Sequence, residues 1–292
     1  MQKEHLYIAS AGIISGFYLV GTRIMGNLGL SVIQISLFGA LFTLAILLPF
    51  VLFRKKLKLK KEMIPFFILF GLVTALSALF QYGSILLGTP VAAAILLIYT
   101  QPIWTAVINR FWLKESFNHR KLLAVILVFI GAAILVNPLT ISSMPIPGLI
   151  FAFLGGIGFA VWIIMSRIAG KRKYEGVTTK FGYTIFMVPF FLLMLPFSLI
   201  IYKPSIFSLS FNIPWYAWLL LFAFETLVNT IGAILIIKGT QKISAIDSSI
   251  ILLIEPLSAA ILSFLILRQP LAWNILIGGI FIVAGNYFVL KK

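Results

Sequence analysis

Ten apolar runs, each near 20 residues long, dominate this chain and leave it few ways to fold. They cover roughly residues 6–23, 31–53, 64–87, 90–109, 121–137, 146–166, 180–202, 215–237, 244–265 and 273–290. About 20 apolar residues is what a helix needs to cross a hydrocarbon core about 30 Å thick. A soluble domain could not hide so much apolar surface, since 61% of the 292 residues are hydrophobic and only 10% charged. In lipid every backbone polar group must be satisfied within the protein, so only helices and closed barrels span. Barrel strands alternate apolar and polar positions, whereas these runs are continuous. The expectation is an all-α polytopic membrane protein with ten transmembrane helices.

Charge sets the expected orientation. Lys and Arg number 23 against 7 acids, for a net charge of +16. In a soluble protein this would point to nucleic acid; between membrane spans it is read as loop charge, and no nucleic-acid partner is expected. Counted from a cytoplasmic N-terminus, 20 of the 23 basic residues, Lys180 among them, fall in inner segments, leaving Arg23, Lys203 and Arg268 outside. The positive-inside rule then places both termini in the cytoplasm and the chain in the cell membrane. Cysteine is absent, which excludes disulfides and thiolate chemistry. With no Walker loop and no His/Asp/Glu cluster, neither ATP, a metal nor any other cofactor is expected.

The chain also repeats itself. At an offset of 154, Gln101-Pro102 meets Glu255-Pro256, Leu113-Lys114 meets Leu267-Arg268, and Gly131 meets Gly285. At an offset of 144, Gly12, Arg23 and Gly26 meet Gly156, Arg167 and Gly170. Extra length therefore belongs to the second half, between 171 and 215. Five spans per half is an odd number, so the halves, residues 1–140 and 141–292, must insert in opposite orientations. Inverted repeats with helices interrupted inside the membrane characterise alternating-access transporters.

Polar residues within the runs are the candidates for chemistry. Glu225 and Glu255 lie near the middle of their runs, where a charge costs about 2.5–3.5 kcal/mol on insertion scales, so function is the default hypothesis. Helical spacing puts Asn229 on the Glu225 face, and Ser248 close to the Glu255 face. Gln101 occupies the position matching Glu255 and heads a polar row with Thr105 and Asn109. Tyr82, Tyr99, Trp162, Trp104 and Tyr18 are candidates to line a cavity for an organic substrate. Pro102 and Pro256 each remove a helical hydrogen bond and are expected as hinges, freeing the carbonyls of Ile98 and Leu252. Held against these readings are packing roles for the aromatics, static kinks at the prolines, and glutamates that only lock their helices.

The Tyr99-Thr100-Gln101-Pro102 segment, Leu113-Lys114-Glu115, Glu255-Pro256, and the helix running from Gly278-Gly279 to Gly285 resemble the EamA-type branch of the drug/metabolite transporter superfamily. The resemblance spans essentially the whole chain. It departs where the family often carries an Arg early in the second span, here Leu37-Phe38-Gly39, and where Gln269 replaces the Glu of the ninth-span motif. The resemblance implies a secondary transporter, not an enzyme, moving an amino acid, amine or similar small molecule by alternating access, outward or in exchange. Proton coupling, an uncoupled facilitator, and a monomer or homodimer in the bilayer all stay open. An intramembrane lipid-modifying enzyme fits poorly, because the acids lie mid-span, and a non-transporting scaffold would leave them without a use.

Overall fold

The computed structural model describes residues 3–54, 59–113, 118–136, 145–196, 204–259, 261 and 273–290. Glu115, Arg268 and Gln269, cited above, lie outside them. Among the described residues there is no strand, and every one of the ten apolar runs carries helix. The helices are α1 (Lys3–Ser15), α2 (Tyr18–Asn27), α3 (Val32–Phe53), α4 (Ile64–Leu86), α5 (Val91–Ile98), α6 (Gln101–Trp112) and α7 (His119–Val136). They continue as α8 (Ile146–Lys171), α9 (Gly176–Met194), the short α10 (Pro204–Phe207), α11 (Trp215–Phe224), α12 (Ala233–Thr240), α13 (Ala245–Ile251) and α14 (Trp273–Leu290). A π-helical stretch, Glu225–Gly232, joins α11 to α12 without a break. Among the described residues, six helical segments, including the α1–α2 pair and the α11–π–α12 rod, are long and apolar enough by themselves to cross a membrane. The remaining runs are built from shorter helices, in keeping with ten crossings.

Helix boundaries follow the sequence offsets. Val32 and Gly176 open helices 144 residues apart, and Asn27 and Lys171 close them at the same spacing. Leu86 and Thr240 end helices 154 apart, while Val91 and Ala245, and His119 and Trp273, begin them. The extra ten residues therefore fall after the start of α9. In that connection, Ser208 and Ser210 offer their carbonyls to the Ser31 hydroxyl and the Gln34 amide, each at 2.6 Å. These two side chains also cap α3 reciprocally, Gln34 N–H to Ser31 Oγ at 3.2 Å and Ser31 N–H to Gln34 Oε1 at 3.1 Å, a capping box.

Packing obeys an approximate two-fold relation. The counterparts α3 and α9, and α7 and α14, contact one another, and α4 lies along α8 as α12 lies along α1. The α7–α14 crossing is the closest case. A Cβ on Gly131 would sit 2.6 Å from the Gly278 carbonyl, against Ile282, and one on Gly285 would strike Val128 and lie 2.9 Å from the Ala124 carbonyl. Gly131 and Gly285, Ala124 and Gly278, and Val128 and Ile282 are three pairs of counterparts. Bare glycine surfaces are how membrane helices approach this closely. Arginines repeat the relation: Arg23 donates to the Thr89 carbonyl at 2.6 Å, and Arg167 to those of Thr240 and Gln241 at 2.8 Å. Each ties the first span of its half to the connection between that half's third and fourth spans.

The prolines correct an expectation. Pro102 does not bend a continuous helix: α5 ends at Ile98, the backbone turns at Tyr99-Thr100, and Pro102 occupies the second position of α6. A first turn tolerates proline because its N–H needs no helical partner. The Thr100 hydroxyl caps the break by donating to the Leu97 carbonyl at 2.7 Å. Pro256 follows a 3₁₀ turn, Leu252–Ile254, after which helical backbone resumes over 255–259. Both runs are thus interrupted just before their prolines, and the tightened turn takes up the strain a mid-helix proline would cause.

Candidate functional site

Between the halves lies a cavity, about 920 Å³ of atom-free space when the open solvent beside it is included. Of the residues singled out in the sequence, Tyr82, Tyr99, Trp162, Glu225, Asn229 and Glu255 line it, as does Tyr18. They come from α2, the α5–α6 turn, α4, α8, the π-helical stretch and the segment after α13, so the interrupted spans and the π turn converge there. Both acids are almost wholly buried, Glu225 at 5% and Glu255 at 6% exposure.

Glu225 is held from its own helix. Asn229 Nδ2 donates to Glu225 Oε1 at 2.8 Å and to the Tyr82 hydroxyl at 2.9 Å, joining α4 to the π-helical stretch. Such stretches recur at functional sites. Thr230 packs the same stretch to α3 through a 3.0 Å contact with the Thr43 hydroxyl. Room for the carboxylate comes from Gly39 on α3, where a Cβ would collide with the Glu225 carboxyl. Glu255 faces the same cavity as Tyr99. The Tyr18 and Tyr82 rings stack at 5.1 Å between the two acids' neighbourhoods.

Gln101 and Ser248 are not among the lining residues. Gln101 is fully buried, donates to the Ser249 carbonyl at 2.8 Å and faces Thr105, which makes it a tie between α6 and α13. The Ser248 hydroxyl donates back to the Ser244 carbonyl at 2.8 Å. Counterparts in sequence thus diverge in use, Glu255 opening on the cavity and Gln101 joining helices.

Lys180 is the residue the sequence reading misplaced. Counted there as a loop charge, it lies one turn inside α9, 5% exposed, on the cavity wall. The reason is that α9 starts at Gly176, four residues before the expected boundary. A signal existed: Lys180 is alone among uncharged residues from 176 to 202, while the loop charges stop at Glu175. Tyr183, next on the same face, lies with its ring 5.1 Å from the Lys180 ammonium and was also passed over.

The sequence model of the EamA-like transporter family matches twice, over residues 2–137 and 146–291. The chain belongs to the EamA-like transporter family. It is therefore a multi-pass membrane transporter and not an enzyme. An uncharacterized transporter of Clostridium kluyveri is 25% identical over 100% of this chain and 95% of its own length. The uncharacterized transporter YoaV of Bacillus subtilis is 25% identical over 98% and 96%, and YyaM of the same species 26% over 79% and 74%. A solved crystal structure of a protein with 15% identity superposes over 100% of both chains with a TM-score of 0.76, which identifies a shared fold.

Proposed function

We propose that this EamA-family chain is a secondary transporter carrying a small organic metabolite, an amino acid, an amine or a similar compound, by alternating access. The supporting observation is the pair of carboxylates, Glu225 and Glu255, buried midway along their spans yet facing one cavity between the halves. Burying two acids is costly, and a cationic group of the substrate would compensate for it. Tyr18, Tyr82, Tyr99 and Trp162 add π faces suited to an ammonium or an apolar side chain. The halves, taken as 1–140 and 141–292, would rock about the α7–α14 crossing, the interrupted spans supplying hinges at Pro102 and Pro256. The termini lie in the cytoplasm of the cell, and movement is outward or in exchange.

Reconstituted liposomes test this reading. Loaded vesicles should release labelled amino acids or amines faster than vesicles carrying Glu225→Gln protein, and equal rates across the whole panel would sink it. Imposing a pH gradient separates coupled transport, in which one acid carries the proton, from uncoupled facilitation. Because the chain has no cysteine, single cysteines at Lys3 and at Asn118 suffice to test the orientation, and both should label from the cytoplasmic side only.

A further inference from the structure

The least expected charge in the cavity is the ammonium of Lys180. It is buried, it lines the same space as the two acids, and no residue among those described accepts a hydrogen bond from it or forms an ion pair with it. The face of the Tyr183 ring lies 5.1 Å from it. The Glu225 carboxylate, which lines the same cavity, is already engaged by Asn229 at 2.8 Å. A buried cation lacking a hydrogen-bonded partner is costly. An anionic group entering the cavity would satisfy it. Glu225 and Glu255 would at the same time repel any substrate that is only an anion.

We propose that Lys180 is the specificity-determining residue of the cavity, taking the carboxylate of a substrate that offers an amine to the acids. The assignment rests on the transport reading above for the identity of the cavity, and adds the charge pattern of its occupant. In the empty cavity the Lys180 ammonium and the two carboxylates line one space. In the loaded cavity the ligand's carboxylate takes up the ammonium, and its amine faces a carboxylate and the tyrosine rings. The cavity therefore selects zwitterions over simple amines, whichever side chain it prefers.

The test uses full-length protein in detergent and matched probes that differ only by a carboxylate: phenylalanine with 2-phenylethylamine, leucine with 3-methylbutylamine, and alanine with ethylamine. At least one pair should bind, with the amino acid bound roughly tenfold or more tighter than its amine, the scale of one charge-assisted hydrogen bond. Lys180→Met should erase or invert that ratio, and Lys180→Arg should keep its direction. A role confined to packing would lower both affinities together and leave the ratio where it was. If the methionine variant does not fold, the wild-type ratio still decides: amine and amino acid bound equally, or no pair bound at all, overturns the assignment. An unchanged ratio in a folded Lys180→Met protein overturns it too. Binding with the expected ratio but no flux in liposomes would leave Lys180 assigned and remove only the transport reading.

Discussion

Two places where the halves of the molecule meet treat their shared ancestry in opposite ways. At the α7–α14 crossing, like meets like, Gly131 facing Gly278 and Ile282 while Gly285 faces Ala124 and Val128. At the cavity wall the same two-fold relation pairs unlike residues. Gly39 on α3 makes room for Glu225, whereas at the equivalent contact Gly71 on α4 receives the backbone of α9 at Tyr183 and Phe186. By the offsets of 144 and 154, Gly39 corresponds to Tyr183 and Gly71 to Glu225, so glycine and large side chain have changed sides. Duplication supplies a scaffold with two equivalent ends. Binding one asymmetric molecule requires a wall that is not symmetric, and the divergence is found where the cavity is.

That contrast can be broken experimentally. The largest effect expected is on flux: Glu225→Gln removes a charge held by Asn229 and should reduce transport roughly 10- to 100-fold, the scale of a charged hydrogen bond. Liposome efflux at saturating protein measures it, and an unaltered rate would mean that the asymmetric wall is not the working one. Next in size, Gly131→Ala and Gly285→Ala should each lower stability by about 1–3 kcal/mol, as overpacking does. Melting in detergent should find the two costs similar, and a large disparity would argue against the two-fold crossing.

The glycines of the wall should separate cleanly. Gly71→Ala presses on α9 backbone, 2.9 Å from the Tyr183 carbonyl, and should cost about 1–3 kcal/mol of stability. Gly39→Ala meets only the movable end of Glu225, so its melting point should change little while ligand affinity falls roughly tenfold with the misplaced carboxylate. Smallest of all should be Lys121→Met. Its 2.9 Å ion pair with Asp247 joins the halves, but both side chains are partly exposed, at 16% and 23%, and such pairs contribute about 0–1 kcal/mol.

Much of the fold could be read from the sequence because lipid leaves few options. Run length, loop charge and the Gly131–Gly285 match each follow from a constraint the bilayer imposes on one segment at a time. Glu225 and Glu255 stood out as acids in mid-span, Asn229 by its helical spacing from Glu225, and Tyr82, Tyr99 and Trp162 as aromatics within apolar runs. Lys180 escaped because hydropathy ends a span at its first charge, whereas a helix ends where its backbone hydrogen bonds stop, and those continue back to Gly176. Gln101 and Ser248 were grouped with the site by helical face, but a face buried against a neighbouring helix looks the same in sequence as one lining a cavity. The π-helical turn at Glu225–Gly232 has no composition of its own; it packs against α1 and α3, contacts that no single segment contains.

The α7–α14 crossing has one more implication. A patch that meets its own counterpart through a two-fold axis makes a closed, isologous interface, the kind by which separate subunits usually form dimers. Here both copies are on one polypeptide, so that surface is consumed internally and cannot recruit a second chain. Any homodimer of this transporter would have to use a different face.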